Sequence, residues 1–135
     1  MSRSGYTDDY EQWQVNLWRA AVGRAIAGKR GQALLCEMLE AFDAMPDKRL
    51  ISEDLISDGR VCALGAVGVK RGMDMSEIDP DDHEAVAAKF GIAHAMACEL
   101  MYLNDEWGPR AETPEQRFVR MRAWVVGKIR AAVAA

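Results

Sequence analysis

The chain has little of what a disulfide scaffold, a zinc finger or a membrane span is built from. Cysteine occurs three times in 135 residues, at Cys36, Cys62 and Cys98, and histidine twice, at His83 and His94. An odd cysteine count with no CxxC pair argues against a disulfide framework and against paired zinc ligands. Neither histidine stands near a cysteine pair, so the sequence leads to no metal and no cofactor. Free thiols are the simplest reading, as in reducing compartments. No stretch approaches the ~18 apolar residues of a membrane span. The opening segment Met1–Trp13 has no apolar core of a secretion signal, so a cytoplasmic protein is expected.

Positive charge is also scarce where it would matter. Residues 72–106 hold Lys89 as their only cation against 9 carboxylates, whereas residues 107–135 hold 6 basic and 2 acidic side chains. The formal net charge is −4. An acidic middle and one basic C-terminal segment argue against a general nucleic-acid binder, which needs a dominant basic face.

Half of the residues are hydrophobic, enough to bury a core without a metal or disulfide. The length corresponds to one domain, residues 1–135, with 1–7 loose. Apolar spacing then predicts an all-α bundle of five to six helices. The first runs from about Asp8 to Ala27, capped by Thr7 and stopped by Gly28. Val15, Trp18, Val22 and Ile26 form one stripe. Trp13 and Leu17 lie opposite, either buried from a second side or facing a partner. A second helix spans about Gly31 to Ala44 and ends before Pro46. Its Cys36 lies on the polar face near carboxylates, where a thiol is a poor nucleophile. Ser52-Glu53-Asp54 suits a short helical turn before Asp58-Gly59. The run Val61–Val69 is ambiguous between strand and helix. Its small residues Ala63, Gly65, Ala66 and Gly68 favour a closely packed helix, with Cys62 as a core residue.

Asp79-Pro80-Asp81-Asp82 has the form of a helix start, with Asp79 as cap and Pro80 at the first helical position. That accounts for the acidic run without calcium, since the alternating ligand pattern of an EF-hand is absent. This helix is expected to end at Gly91, and another to run from Ala93 to Asn104. Together they have the spacing of a helix-turn-helix. The second helix offers Ala93, His94, Ala95, Met96, Cys98 and Glu99, none of which supplies the cations that DNA demands. A packing corner is therefore expected rather than a DNA reader, with His94 a half-buried surface residue. Thr113-Pro114-Glu115-Gln116 opens the last helix with a capping box. Phe118, Met121, Val125 and Ile129 are its buried stripe.

No nucleophile motif, phosphate loop or helical histidine pair is present, so the reading is non-enzymatic. Two surfaces are candidate partner sites. One is the acidic segment Asp79, Asp81, Asp82 and Glu84, which suits a cationic groove. The other is the Arg117, Arg120, Trp124 and Lys128 face of the last helix. An aromatic among cations can anchor a partner or stack a base, or can be half buried under arginine stems.

Three stretches together carry a resemblance. Lys29-Arg30-Gly31-Gln32 leads a helix ending Glu40-Ala41-Phe42-Asp43-Ala44-Met45-Pro46. Val61-Cys62-Ala63-Leu64-Gly65-Ala66 follows a polar turn. Leu103-Asn104-Asp105-Glu106 precedes Glu112-Thr113-Pro114-Glu115-Gln116-Arg117-Phe118 and Trp124. Over roughly residues 12–130 this resembles a family of small proteins encoded in bacteriophages and proteobacterial prophages. The resemblance transfers no functional residues. It implies a mobile-element accessory gene, a class rich in small proteins that bind host machinery, anti-CRISPR inhibitors among them. It leads to an expected host-protein partner, such as a CRISPR effector or other defence component. A nucleic-acid-binding regulator using the basic C-terminal helix, a phage structural or assembly protein, and a homodimer stay open.

Overall fold

The computed structural model describes residues 3–134, with side chains described from 3 to 129. Among them are six helices and one minimal hairpin. The helices are α1 (Gln12–Ala27), α2 (Lys29–Ala44), α3 (Ala63–Lys70), α4 (His83–Phe90), α5 (His94–Asp105) and α6 (Pro114–Ala134). Strands β1 (Ile56–Ser57) and β2 (Arg60–Val61) pair antiparallel, with Ile56 opposite Val61 and Ser57 opposite Arg60. The fold is thus mostly helical rather than strictly all-α. No single helix among the described residues is long and apolar enough to cross a membrane.

Helix α2 is central, packing against α1, α3 and α6. Its Leu34, Leu35, Met38 and Phe42 are at most 2% exposed. Side chains of this size contribute roughly 1.5–3 kcal/mol each when fully buried. Phe42 meets Phe118 of α6 at 5.4 Å between ring centroids. Leu64, Phe90 and Leu100 are buried with them, as is Val125 of the stripe expected on the last helix.

Several boundaries differ from the sequence expectation for local reasons. Helix α1 starts at Gln12 rather than Asp8. The Glu11 N–H donates to Gln14 Oε1 at 2.8 Å, which closes the first turn there. Thr7 instead accepts from the Asp9 N–H in a separate turn. Of the residues expected to be loose, Met1 and Ser2 lie outside the described residues. Arg3 and Ser4 are buried, at 4% and 1% exposure. Ser52-Glu53-Asp54 forms no helical turn. Glu53 is held at φ 71, with its N–H donating to Asp105 Oδ1 at 3.0 Å. Asp58 and Gly59 both have positive φ, the conformation of a tight two-residue hairpin turn. Val61 therefore ends a strand, and the helix begins two residues later.

Helix α3 lies directly against the backbone before it. A Cβ on Gly65 would stand 1.9 Å from the Leu55 carbonyl oxygen, so no side chain fits there. Helix α4 starts at His83, with Asp82 as its cap: Asp82 Oδ1 accepts from the Ala85 N–H at 3.1 Å. Asp79 instead turns the chain ahead of the helix, accepting from the Asp81 N–H at 2.9 Å. Gly91 ends α4 at φ 71, in the left-handed region that glycine adopts without strain. The chain then turns by 109° into α5, the corner that the helix-turn-helix spacing anticipates.

Candidate functional site: an aromatic groove with a His-His-Cys cluster

The segment 3–6 lies across α5 as a strap, with polar contacts to Asp105, Glu106 and Glu99 and further ones to Cys62 and Trp18. Arg3 Nε and Nη2 donate to the two Asp105 carboxylate oxygens at 2.6 and 2.9 Å. Ser4 Oγ donates to Glu106 Oε2 at 2.8 Å. Asn104, 1% exposed, accepts from the Ala63 N–H and donates to the Ile51 carbonyl, joining α5 to the start of α3. The Leu-Asn-Asp-Glu motif is therefore a structural junction: each polar side chain in it has a defined partner.

Between the strap, α1, α5 and α6 runs a groove of about 1080 Å³. One wall carries buried Glu99, which binds Arg19 through two hydrogen bonds of 2.8 and 2.6 Å. The Tyr6 hydroxyl donates to the same carboxylate at 2.9 Å and accepts from the Trp18 indole at 2.6 Å. Burial first, then the Glu99 charge, pushes the Tyr6 hydroxyl well above the ordinary tyrosine range despite the Trp18 hydrogen bond. The phenol therefore stays protonated and acts as a fixed donor. The rings continue along the groove. Tyr6 meets Tyr102 at 4.9 Å and Trp18 at 5.9 Å. Tyr102 meets Trp107 at 6.1 Å, and Trp18 meets His94 edge-on at 5.9 Å.

At the end of this row of rings, the corner at Gly91 brings together three residues that the sequence separates. His83 is the first residue of α4, His94 the first of α5, and Cys98 lies one turn further along α5. His83 Nδ1 faces His94 Nε2 directly, with ring centroids 4.5 Å apart. Cys98 Sγ lies 3.4 Å from His94 Nε2. The three ligand atoms all fall within 4.8 Å of one another. Burial, then the neighbouring His83, lowers the His94 pKa and favours its neutral ring. Burial also raises the Cys98 thiol to about 11.

The sequence reading looks for a cysteine pair beside the histidines and weighs no single cysteine; the fold places Cys98 against both. His94 and Cys98 stand four residues apart on one helix, a spacing that puts both on one face. That signal was available in the sequence. His83 was not, because it reaches the pair only through the fold at Gly91.

The sequence-derived surface residues fare unequally. Asp79, Asp81, Asp82 and Glu84 are all exposed, ahead of and on the first turn of α4. The four residues of the α6 face differ in their surroundings. Arg117 donates to the Asn104 and Leu50 carbonyls at 2.9 and 3.0 Å. Arg120 forms two hydrogen bonds to Glu112 and another to the Leu103 carbonyl. Both guanidinium groups are thus engaged inside the fold. Trp124 is half buried on the groove wall, with the Lys128 ammonium 6.0 Å from its ring centre. Trp13, left open by the sequence, is 59% exposed.

No protein-family model, curated protein or solved structure matches the chain.

Proposed function

We propose that the protein works by binding a host protein stoichiometrically, without catalysis, through the outward face of α1. The observation that carries this reading is a stripe of large apolar side chains left in water. Tyr10, Trp13 and Leu17 are 51%, 59% and 63% exposed. Trp13 and Leu17 are one turn apart on α1, while Tyr10 precedes the helix at the mouth of the groove. Contiguous exposed apolar surface marks interaction sites, and Trp and Tyr dominate binding energy where they anchor in a partner's pocket. The Trp13 indole N–H is held by Glu11 Oε2 at 2.8 Å, which reduces the rotamer freedom lost on binding.

The resemblance to bacteriophage and prophage proteins supplies the partner class: a component of a bacterial defence system such as a CRISPR effector, which the protein would block as an anti-CRISPR-type inhibitor. The exposed carboxylates of Asp79, Asp81, Asp82 and Glu84 add a surface that a cationic partner would attract. A nucleic-acid regulator acting through α6 has less support. Arg117 and Arg120 are engaged within the fold, and Arg122 pairs with Asp43 at 2.8 Å.

The test is capture of defence components from a host lysate, with phage-restriction assays in parallel. The double variant Trp13→Ala/Leu17→Ala is expected to keep the wild-type circular dichroism and to weaken binding by ~2 kcal/mol or more. Reversal of Asp81, Asp82 and Glu84 to Lys reports whether the acidic segment shares the contact. Undiminished restriction in expressing cells, with no defence component captured, defeats the proposal. Dimers in light scattering that the α1 variant abolishes would instead assign the stripe to a second copy of the chain.

A further inference from the structure

We propose that His83, His94 and Cys98 form a three-ligand binding site for a zinc-class divalent cation, with the fourth coordination position opening on the aromatic groove. None of its three ligands belongs to the proposed α1 contact, and Trp13 and Leu17 lie outside the groove lining.

The donor set is the first argument. Two imidazole nitrogens and a thiol converge within 4.8 Å of one another. Imidazole and thiolate together suit zinc over calcium or magnesium, which take oxygen ligands. The spacing is the second. Bond lengths of about 2.0–2.1 Å to nitrogen and 2.3 Å to sulfur place the two donors of a tetrahedral ion roughly 3.6 Å apart. Cys98 Sγ and His94 Nε2 stand 3.4 Å apart. His83 lies closer to His94 than an ion between them would allow. It is half buried at the first residue of α4, so a small rotation of its side chain opens the gap.

The surroundings are the third argument. The Trp18 edge packs on His94, and the Gly5 backbone lies against His83, where a Cβ would come 3.1 Å from Nε2. Such contacts orient ligand rings. The Glu84 carboxylate, one residue past His83, acts electrostatically on both His94 and Cys98 and lowers the cost of bringing a cation there. All three ligands line the groove, so the position left over faces it.

Binding requires the Cys98 proton to leave: the S–H bond is replaced by an S–Zn bond and one proton passes to buffer. No redox step is involved. The ion would tie the start of α4 to the first turn of α5 across the Gly91 corner.

Chelator-treated protein is titrated with zinc chloride by calorimetry at neutral pH, in two buffers of different ionisation enthalpy. The expected result is one ion per chain, about one proton released, and a Tm that rises with zinc concentration and falls back on adding chelator. Cobalt(II) should give the intense visible bands of a tetrahedral site together with thiolate-to-metal charge transfer. Cys98→Ser and His94→Gln should each weaken binding at least tenfold while their metal-free circular dichroism matches wild type. Cys36→Ser, which changes an exposed thiol outside the cluster, should change nothing. Absence of stoichiometric binding, a cobalt spectrum without thiolate charge transfer, or equal losses in Cys36→Ser and Cys98→Ser would overturn the proposal.

Discussion

At the scale of single residues, Glu112 gathers the charge of two arginines of α6, Arg117 and Arg120. Arg117 and Arg120 look in the sequence like half of a basic face. In the fold both turn toward Glu112, whose side chain is only 4% exposed. The hydrogen bonds from Arg120, and then its charge, hold the Glu112 carboxyl below the usual carboxylate range. A carboxyl whose folded pKa is depressed binds fewer protons folded than unfolded. Its stabilisation is therefore complete above the unfolded value of about 4.3 and is lost as pH falls through the folded value. Glu112→Gln is expected to cost about 1–2 kcal/mol at pH 7, because the arginines lose the carboxylate charge and one of its two acceptor oxygens becomes an NH2 donor. The variant should also lose stability less steeply than wild type below about pH 4.3. Urea unfolding at a series of pH values checks both; parallel pH profiles would disprove the assignment. The same scale shows what sequence alone conveys of a site. His94 and Cys98 are readable by their spacing. The choice between a cation face and an internal clamp is not, because it depends on where Glu112 and the Leu103 and Asn104 carbonyls end up.

At the scale of elements, the helices are legible and their first turns are less so. The cap of α6 is as expected: Thr113 Oγ1 accepts from the Gln116 N–H at 3.2 Å, and Gln116 Oε1 accepts from the Thr113 N–H at 2.9 Å. The start of α4 is displaced because the segment offers two competent aspartates three residues apart. Asp79 closes a turn, and Asp82 caps the helix. Asp82→Ala should thus cost about 1 kcal/mol, and Asp79→Ala less, by thermal unfolding. An equal or reversed order would restore Asp79 as the cap. The small residues of the Val61–Val69 run have a definite geometric reason in Gly65. A methyl there would overlap the Leu55 carbonyl, which is backbone and cannot step aside, and it would also crowd Val61. Gly65→Ala is expected to destabilise by roughly 3 kcal/mol, at the upper end of overpacking costs. Unfolding within ~0.5 kcal/mol of wild type would show that α3 can slide, since changes of that size are what ordinary surface substitutions give. The two-residue hairpin escaped the sequence reading. Four residues are too few for an alternating pattern, and only Asp58-Gly59 announces the turn.

For the whole molecule, the unexpected feature is that the first described residues complete the core. The strap joins both sides of the groove: Arg3 and Ser4 bind the end of α5, and Tyr6 links Trp18 of α1 to Glu99 of α5. The sequence gives no sign of this, because residues 3–6 have neither periodicity nor apolar bulk and their partners lie about a hundred residues on. Arg3 and Asp105 have side chains 1% and 6% exposed, so theirs is a buried ion pair. Removing one member of such a pair leaves the other charged and desolvated, at a cost of roughly 3 kcal/mol or more. Asp105 would keep its hydrogen bonds from Asn104 and the Glu53 N–H, which places Arg3→Ala at the lower end of that range. Against a total stability on the order of 5–15 kcal/mol the loss is large, and at this chain length it corresponds to a fall in Tm of roughly 10 °C. Tyr6→Phe, which removes only the hydroxyl between Trp18 and Glu99, should cost about 1 kcal/mol. Because the strap bridges two helices, Arg3→Ala should also speed hydrogen exchange at the Ala63 N–H and along the last turn of α5, while α2 keeps its protection. Thermal unfolding and native-state exchange on the same variant measure the two effects. A Tm within 2 °C of wild type, or faster exchange confined to the strap, would mean that these residues lie on the fold rather than holding it together.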